Sequence, residues 1–268
     1  MIDVLDLFSG IGGISLGLER TGGFRTVGFC EIDSYCQKVL KKHWPDIPLI
    51  EDVRTVTVDA LRQKGIERVD CITAGIPCQP FSVAGRREGE KDDRFLWPEV
   101  ARCLREIRPH LFILENVPGI LSISGGRVFG GILADLASLR YSTRWFVLSA
   151  ADMGAPHLRK RVFVIAHTNG REQGWGQQPE RGQDRRDADI ARHGSEGELA
   201  DTDCGRCEQC DAAERTVSEF DADNWQVEPD VGRVADGIPA RVDRLRCLGN
   251  AVVPQCAEWI GQMILASW

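Results

Sequence analysis

The sequence predicts an α/β fold on a doubly wound, parallel-rich sheet, with a small irregular segment set into its C-terminal part. Three observations predict it. Short apolar runs alternate with amphipathic stretches over the first 167 residues, the order that strand–helix–strand crossovers produce. A glycine-rich turn, Ser9-Gly10-Ile11-Gly12-Gly13, closes the first apolar run. The residues best suited to chemistry fall at or just after the carboxyl ends of strands, where ligands of such sheets bind.

The first strand is expected over Ile2 to Phe8, with helical material following the glycine turn to about Arg20. Phe24 to Cys30 reads as the second strand, ending at Glu31-Ile32-Asp33, and Ser34 to about His43 as a helix. Further strands are expected at Val69–Ala74, Leu111–Leu114, Ser142–Ser149 and Arg161–Ala166, with helices at Phe95–Ile107 and Val128–Leu139. Residues 168–230 are rich in Gly, Arg, Gln, Asp and Glu and have little hydrophobic periodicity. Order is expected to return near Val231, and Ala251 to Ser267 reads as an amphipathic closing helix. The chain is therefore divided into one domain, 1–167 plus about 236–268, and a variable region of about 168–235. AHTNGREQ (166–173) and ADTDCGRCEQ (200–209) resemble each other but are too short to establish a duplication.

A chain of 268 residues with 43% hydrophobic and 27% charged residues suits one large globular domain with a small appendage. No apolar run approaches the roughly 20 residues of a membrane span, so no membrane association is expected. MIDVLDLFSG carries acids where an export signal carries basic residues. The ten cysteines are accordingly expected to be the reduced thiols of a cytoplasmic protein. A net charge of −7 gives no support to nucleic-acid binding. Arginine-bearing stretches at Arg86-Arg87, Arg159-Lys160-Arg161, 181–186 and 241–246 are interleaved with acids, which leaves a mixed solvated surface as one reading of each.

Four features suit a catalytic site. In Pro77-Cys78-Gln79-Pro80, two prolines fix the backbone around a thiol directly after a strand-like run. A nucleophile needs such fixing and a packed cysteine does not, though X-Pro pairs are also ordinary turn markers. The glycine turn allows close approach of a cofactor to a helix N-terminus, and Glu31, about 20 residues on, is placed for ribose hydroxyls. The dinucleotide pattern G-x-G-x-x-G is not met, because Ser15 stands where the third glycine belongs. Glu115, at the end of LFIL, is either an acid whose pKa burial raises or a carboxylate satisfied by backbone amides. Arg159 and Arg161 alternate with Leu158 and Lys160, so both arginines share one face, as surface charges or as donors to a substrate oxygen.

Together these residues resemble the cytosine-C5 DNA methyltransferases, in order from residue 6 to the C-terminus except for the variable region. Asp6-Leu7-Phe8-Ser9-Gly10-Ile11-Gly12-Gly13 is similar to the family's first cofactor motif, Glu31 with Ile32 to its ribose-binding strand end, and Asp52-Val53 to the pair that holds adenine. Pro77-Cys78-Gln79 resembles the catalytic loop, Asp93-Arg94-Phe95-Leu96 the segment that closes it, and Glu115-Asn116-Val117 the catalytic glutamate motif. His157-Leu158-Arg159-Lys160-Arg161 resembles Gln-x-Arg-x-Arg with His for Gln. Gly249-Asn250-Ala251-Val252-Val253-Pro254 resembles the last motif, which returns to complete the cofactor pocket.

The resemblance implies a Rossmann-like, S-adenosylmethionine-dependent methyltransferase fold, with S-adenosylmethionine as methyl donor. It implies that Cys78 is the nucleophile, Glu115 the group at the base's N3 edge, Arg161 the donor to its O2 and Arg159 a support for the loop. It further implies that Gly85 to Asp93 is the loop that closes over a flipped base, and that 168–235 reads the target. Double-stranded DNA is the expected partner of a monomeric enzyme, beside a cognate restriction endonuclease or in self-protection. Two rivals remain at this point: methylation of a tRNA cytosine, and a catalytically idle nucleic-acid-binding relative, against which the intact Cys78, Glu115 and Arg161 speak. An NAD-dependent dehydrogenase fails on the missing third glycine. Cys204, Cys207 and Cys210 form C-x2-C-x2-C, but zinc takes four ligands and neither His193 nor Cys247 has diagnostic spacing, so no metal is expected.

Overall fold

The computed structural model describes residues 1–77, 96–168 and 241–267, without the side chains of residues 241 and 245. In chain order the elements are β1 (Ile2–Leu7), α1 (Gly13–Arg20), β2 (Phe24–Cys30), α2 (Ser34–His43), β3 (Leu49–Ile50), α3 (Val58–Gln63) and β4 (Cys71–Gly75). There follow α4 (Trp97–Ile107), β5 (Leu111–Asn116), α5 (Arg127–Ser138), β6 (Tyr141–Leu148), β7 (Arg161–Thr168), α6 (Arg241–Asn250) and α7 (Pro254–Ser267).

One sheet holds the strands in the order β3-β2-β1-β4-β5-β7-β6. β1 to β5 run parallel, and β7 lies antiparallel between β5 and β6. The chain winds outward from β1 to β3 and then returns to the other side of β1 as β4. The strand order reverses there, and the crevice that this leaves at the carboxyl ends is where such sheets bind ligands. β1, β4 and β5 are covered on both faces, which explains their near-continuous apolar runs: Val4, Leu5 and Leu7; Cys71, Ile72 and Ala74; Leu111 to Leu114.

On one face Val100, Leu104 and Ile107 of α4 and Val128, Ile132 and Leu136 of α5 share a core with Phe112, Val162 and Val164. The alternate residues of β6 and β7 face the other way, where Phe146 meets Trp259 of α7 edge to face at 5.8 Å. On that side α1 packs against α7, burying Ile14, Leu18, Trp259, Ile260 and Ile264. Glycine sets how closely they approach. A Cβ on Gly17 would fall 2.1 Å from the Pro254 carbonyl oxygen, and one on Gly13 2.6 Å from that of Val252.

The parallel-rich, doubly wound sheet expected from the sequence is the one observed, with boundary differences that have physical reasons. β1 ends one residue early because Phe8 takes a positive φ of 55° to enter the glycine turn. β3 and α3 escape sequence reading because they span two and six residues, too short for periodicity to register. The closing helix starts at Pro254 rather than Ala251, since proline is tolerated only in a helix's first turn. A separate helix, α6, precedes it. Phe95, the loop 85–93, the segment near Val231 and nearly all of the variable region lie outside the described residues.

Gly17→Ala is expected to cost about 1–3 kcal/mol, the usual penalty for forcing a methyl into a filled contact. Urea unfolding should show a lower midpoint at unchanged slope. An unchanged midpoint would mean that α7 can slide away from α1 without cost.

Candidate active site

The site begins with a buried acid. Asp6, 1% exposed near the end of β1, accepts Ser15 Oγ at 2.8 Å and Thr73 Oγ1 at 2.6 Å. Its backbone carbonyl accepts Ser9 Oγ at 2.6 Å. One residue thus fastens the glycine turn, α1 and β4 to β1. Burial raises its carboxyl to about 6, against the pull of the Thr73 and Ser15 hydroxyls. The serine that breaks the dinucleotide glycine pattern therefore has its own task, because only a hydroxyl at position 15 can donate to Asp6.

Glu31, just past β2, is held by the turn that Asp6 fastens. Gly10 N donates to Glu31 Oε2 at 2.7 Å and Asp33 N to Oε1 at 2.8 Å. Burial raises its pKa while these amides oppose the rise. Each carboxylate oxygen accepts one amide and retains a lone pair for a further donor. Beside it Ile32 is 71% exposed, an apolar side chain left uncovered on a cavity wall. Asp52 caps the 3-10 turn Val53–Thr55, accepting Arg54 N at 2.9 Å. That turn is pinned from α4 by Arg102, whose Nη atoms donate to the Val53 and Val56 carbonyls at 2.9 and 2.7 Å.

At the far side, Glu115, the last residue but one of β5, is in register with Gly75 of β4 and Phe163 of β7. Arg161 Nε lies 2.9 Å from Glu115 Oε1, and both side chains are largely buried. Burial raises the Glu115 carboxyl to about 7, opposed first by the Arg161 charge and then by that of Arg159. Asn116 Oδ1 accepts Val117 N at 2.9 Å, and its Nδ2 donates to the Ile76 carbonyl at 3.5 Å, so it braces the exit of β4. Arg159 reaches elsewhere: its Nη2 donates to the Gly249 and Ala251 carbonyls, both at 2.6 Å. Leu158 and Lys160, which alternate with the two arginines, are exposed.

A single cavity of about 830 Å³ joins these groups. Of the residues expected at the site, Phe8, Gly10, Glu31, Ile32, Asp52, Val53, Pro77, Glu115, Arg161 and Asn250 line it. Ser9, Gly12, Gly13, Arg159, Ala251 and Val252 do not line it. They lie behind its wall, where Ser9 pins the turn, Gly12 and Gly13 abut Trp44 and Val252, and Ala251 receives Arg159. Cys78 lies outside the described residues, as do Cys204, Cys207 and Cys210; Pro77, its neighbour in sequence, is in the wall. Sequence reading did not place Asp33, Cys36, Arg246 or Cys247 at the site, and named Asn116 only within the motif of Glu115; all five line the cavity. Asp33 left a signal, an Asp followed by Ser-Tyr at a helix start, and its Oδ1 does cap α2. Its carboxyl stays below the usual range although burial opposes ionisation, because the Cys36 and Tyr35 amides and Arg246 outweigh it.

Residues 2–203 match the family model described as C-5 cytosine-specific DNA methylase. Among curated proteins, the type II methyltransferase M.AquIA of Picosynechococcus is 35% identical over 182 residues, 63% of this chain and 73% of that protein. M.NgoMIV of Neisseria gonorrhoeae is 38% identical over 166 residues, 62% of this chain and 51% of its own length. M.DsaV of Dactylococcopsis salina is 36% identical over 162 residues, but these are 44% of that protein. Apart from M.AquIA, the chain thus spans about half the length of these relatives. A prophage-encoded E. coli protein described as a DNA modification methyltransferase superposes with TM-score 0.54 at 30% identity, over 63% of this chain and 47% of that one. DNMT2 of Spodoptera frugiperda gives 0.53 at 23% identity over 67% and 54%, a likeness of fold. The fold is the Rossmann-like one of methyltransferases.

The raised Glu115 carboxyl has a measurable consequence. Its folded value, about 7, lies above the ordinary 4.5, so the folded state favours the protonated form. That contribution to stability is complete below about pH 4.5 and is lost as pH rises through about 7. Glu115→Gln cannot ionise. In urea unfolding the variant should gain on the wild type steadily between these limits, and parallel pH profiles of the two proteins would show that Arg161 keeps the carboxylate ionised throughout.

Proposed function

We propose, since this chain belongs to the C-5 cytosine-specific DNA methylase family, that it transfers a methyl group from S-adenosylmethionine to carbon 5 of a cytosine in double-stranded DNA. The observation that carries the reading is the one cavity shared by Glu31, Ile32 and Asp52 at one end and the Glu115–Arg161 pair at the other, with Pro77 in its wall.

The residues present fit the cofactor. Glu31, with lone pairs to spare beyond its two amide donors, would take ribose hydroxyls. Ile32 and Val53 would cover the faces of adenine, which accounts for the exposure of Ile32, and Asp52 would accept from the adenine amino group. When bound, S-adenosylmethionine supplies an electrophilic methyl carbon on a sulfonium.

The chain's own residues make carbon 5 able to accept it. Carbon 5 of cytosine is a poor nucleophile, so the Cys78 thiolate adds to carbon 6 and breaks the ring's conjugation. Glu115, whose carboxyl holds a proton near neutral pH, donates it at N3 and neutralises the charge that the addition creates. Arg161 donates to O2 and keeps Glu115 oriented. After methylation, loss of the carbon 5 proton and expulsion of Cys78 restore the ring. Carbon 6 is inaccessible inside a duplex, so the base enters the cavity flipped out of the stack. Residues 168–235 read the target sequence through their Arg and Gln side chains. The names of the relatives as type II methyltransferases support a role in a restriction-modification system.

DNA carrying 5-fluorocytosine at the target should trap the protein covalently, because fluorine cannot leave as a proton does. Cys78→Ser should lose the adduct and methyl transfer yet still bind S-adenosylmethionine. Bisulfite sequencing of DNA and tRNA from expressing cells identifies the substrate, and methylation confined to tRNA would overturn the DNA reading. For the cofactor end, Glu31→Ala should weaken S-adenosylmethionine binding by about 1–3 kcal/mol, the cost of losing a buried partner. Calorimetry should find Glu115→Gln near wild type in that binding, and the reverse pattern would reject the division of the cavity.

A further inference from the structure

Two thiols far apart in sequence meet in the wall of this cavity. Cys36 of α2 and Cys247 of α6 are separated by 211 positions, and their Sγ atoms lie 3.1 Å apart. Both are buried, and both line the cavity beside Glu31 and Asp33. The adjacent Arg246 forms an ion pair with Asp33, so α6 meets α2 at two successive residues. α6 also carries Asn250, a lining residue, and its end is gripped by Arg159 through Gly249 and Ala251. What holds α6 to α2 therefore holds that part of the cavity wall in place.

We propose that Cys36 and Cys247 are a covalent modification site: oxidation by a low-molecular-weight disulfide joins them and clips α6 onto α2 over the cavity. A disulfide needs its sulfurs about 2.05 Å apart, so the two must approach by about 1 Å, a small movement for a helix with exposed Val242 and Leu248. The exchange balances in two steps. The Cys247 thiolate attacks one sulfur of the small disulfide, forming a mixed disulfide and expelling one small thiolate. The Cys36 thiolate then attacks the Cys247 sulfur and expels the second. One S–S bond is made and one broken, two electrons pass from the cysteine pair to the reagent, and the two thiol protons end on the two small thiols. Cys247 attacks first because, although burial raises both thiols, the Cys36 hydrogen bond and the Arg246 charge pull Cys247 back down.

The same pair with Asp33 could be read as three ligands for a thiophilic cation. Asp33 argues against this. Its carboxylate already serves the amides of Tyr35 and Cys36 and the guanidinium of Arg246, so a metal would have to displace a cation already paired there. Three donors also fall short of a closed zinc site.

The test uses the purified full chain, incubated natively with oxidised glutathione, then denatured, alkylated and digested. Peptides bearing Cys36 and Cys247 should be recovered joined, separable by reduction, and absent from both Cys36→Ala and Cys247→Ala. The oxidised protein should unfold at a higher denaturant midpoint, since the bond closes a long loop. If the cavity holds S-adenosylmethionine as proposed above, its dissociation from the oxidised protein should be several-fold slower, measured in Cys78→Ser so that the thiol of the proposed nucleophile cannot contribute. Joined peptides without S-adenosylmethionine binding would leave the clip standing and reject only the cofactor reading. Full alkylation of both cysteines after oxidation, their joining to other cysteines instead, or a stoichiometric metal that blocks the joining would overturn the clip.

Discussion

A carboxyl with almost no exposed surface needs protein donors on its oxygens, and Asp6 finds them on α1 and β4, the two elements that flank the reversal of strand order. Because Ser9 also bonds to its carbonyl, the glycine turn cannot move independently of β1. The amide of Gly10 can then reach Glu31, and the end of β4 stays level with the end of β1. Without this anchor the two halves of the crevice would have no fixed register at their open ends, where ladder hydrogen bonding runs out. The rest of the cavity inherits its geometry from that point.

The other half of the cavity is closed by chain that lies far away in sequence. α7 and the residues leading into it reach α1 only because Gly17 and Gly13 present backbone instead of side chain to them. Arg159 then binds the Gly249 carbonyl at the end of α6 and the Ala251 carbonyl just beyond it. That placement changes how the arginine pair is understood. Arg161 faces Glu115 within the cavity, whereas its neighbour two residues earlier faces the C-terminal segment. Alternation on one strand entry thereby couples the two walls, and a disturbance at either arginine reaches both.

Most of the parallel sheet was legible because buried parallel strands read as short apolar runs and their crossover helices as amphipathic ones, as at Leu111–Leu114 and Phe24–Cys30. The cavity residues at strand ends were legible for the same reason: once a strand is placed, so is its carboxyl end. Glu31 and Glu115 are both of this kind. What could not be read were contacts without local pattern. Nothing near Cys36 marks it as the neighbour of Cys247, and nothing near Arg102 says that it braces the turn behind Asp52. Ser15 read as the defect in a glycine motif, since its partner, Asp6, belongs to a different element. The break before Pro254 was legible in principle, from proline chemistry alone, yet the apolar periodicity around it outweighed the signal.

Two buried glutamates on one cavity can differ in role only if their surroundings differ, and here they do. Both are pushed toward the protonated form by burial. Glu31 is opposed by backbone amides, fixed dipoles that cannot leave, so its oxygens keep one orientation and suit the holding of neutral hydroxyl groups. Glu115 is opposed by a guanidinium charge, and an ion pair responds to a third partner. A neutral base entering the cavity would desolvate the pair further and favour moving the proton out of the carboxyl only as negative charge develops on the base. A carboxyl already poised at about 7 needs little additional driving force to make that transfer. On the proposed reading, the same burial that makes Glu115 costly to ionise in the empty cavity would make it a proton donor matched to neutral pH, with Arg161 to stabilise the carboxylate that remains.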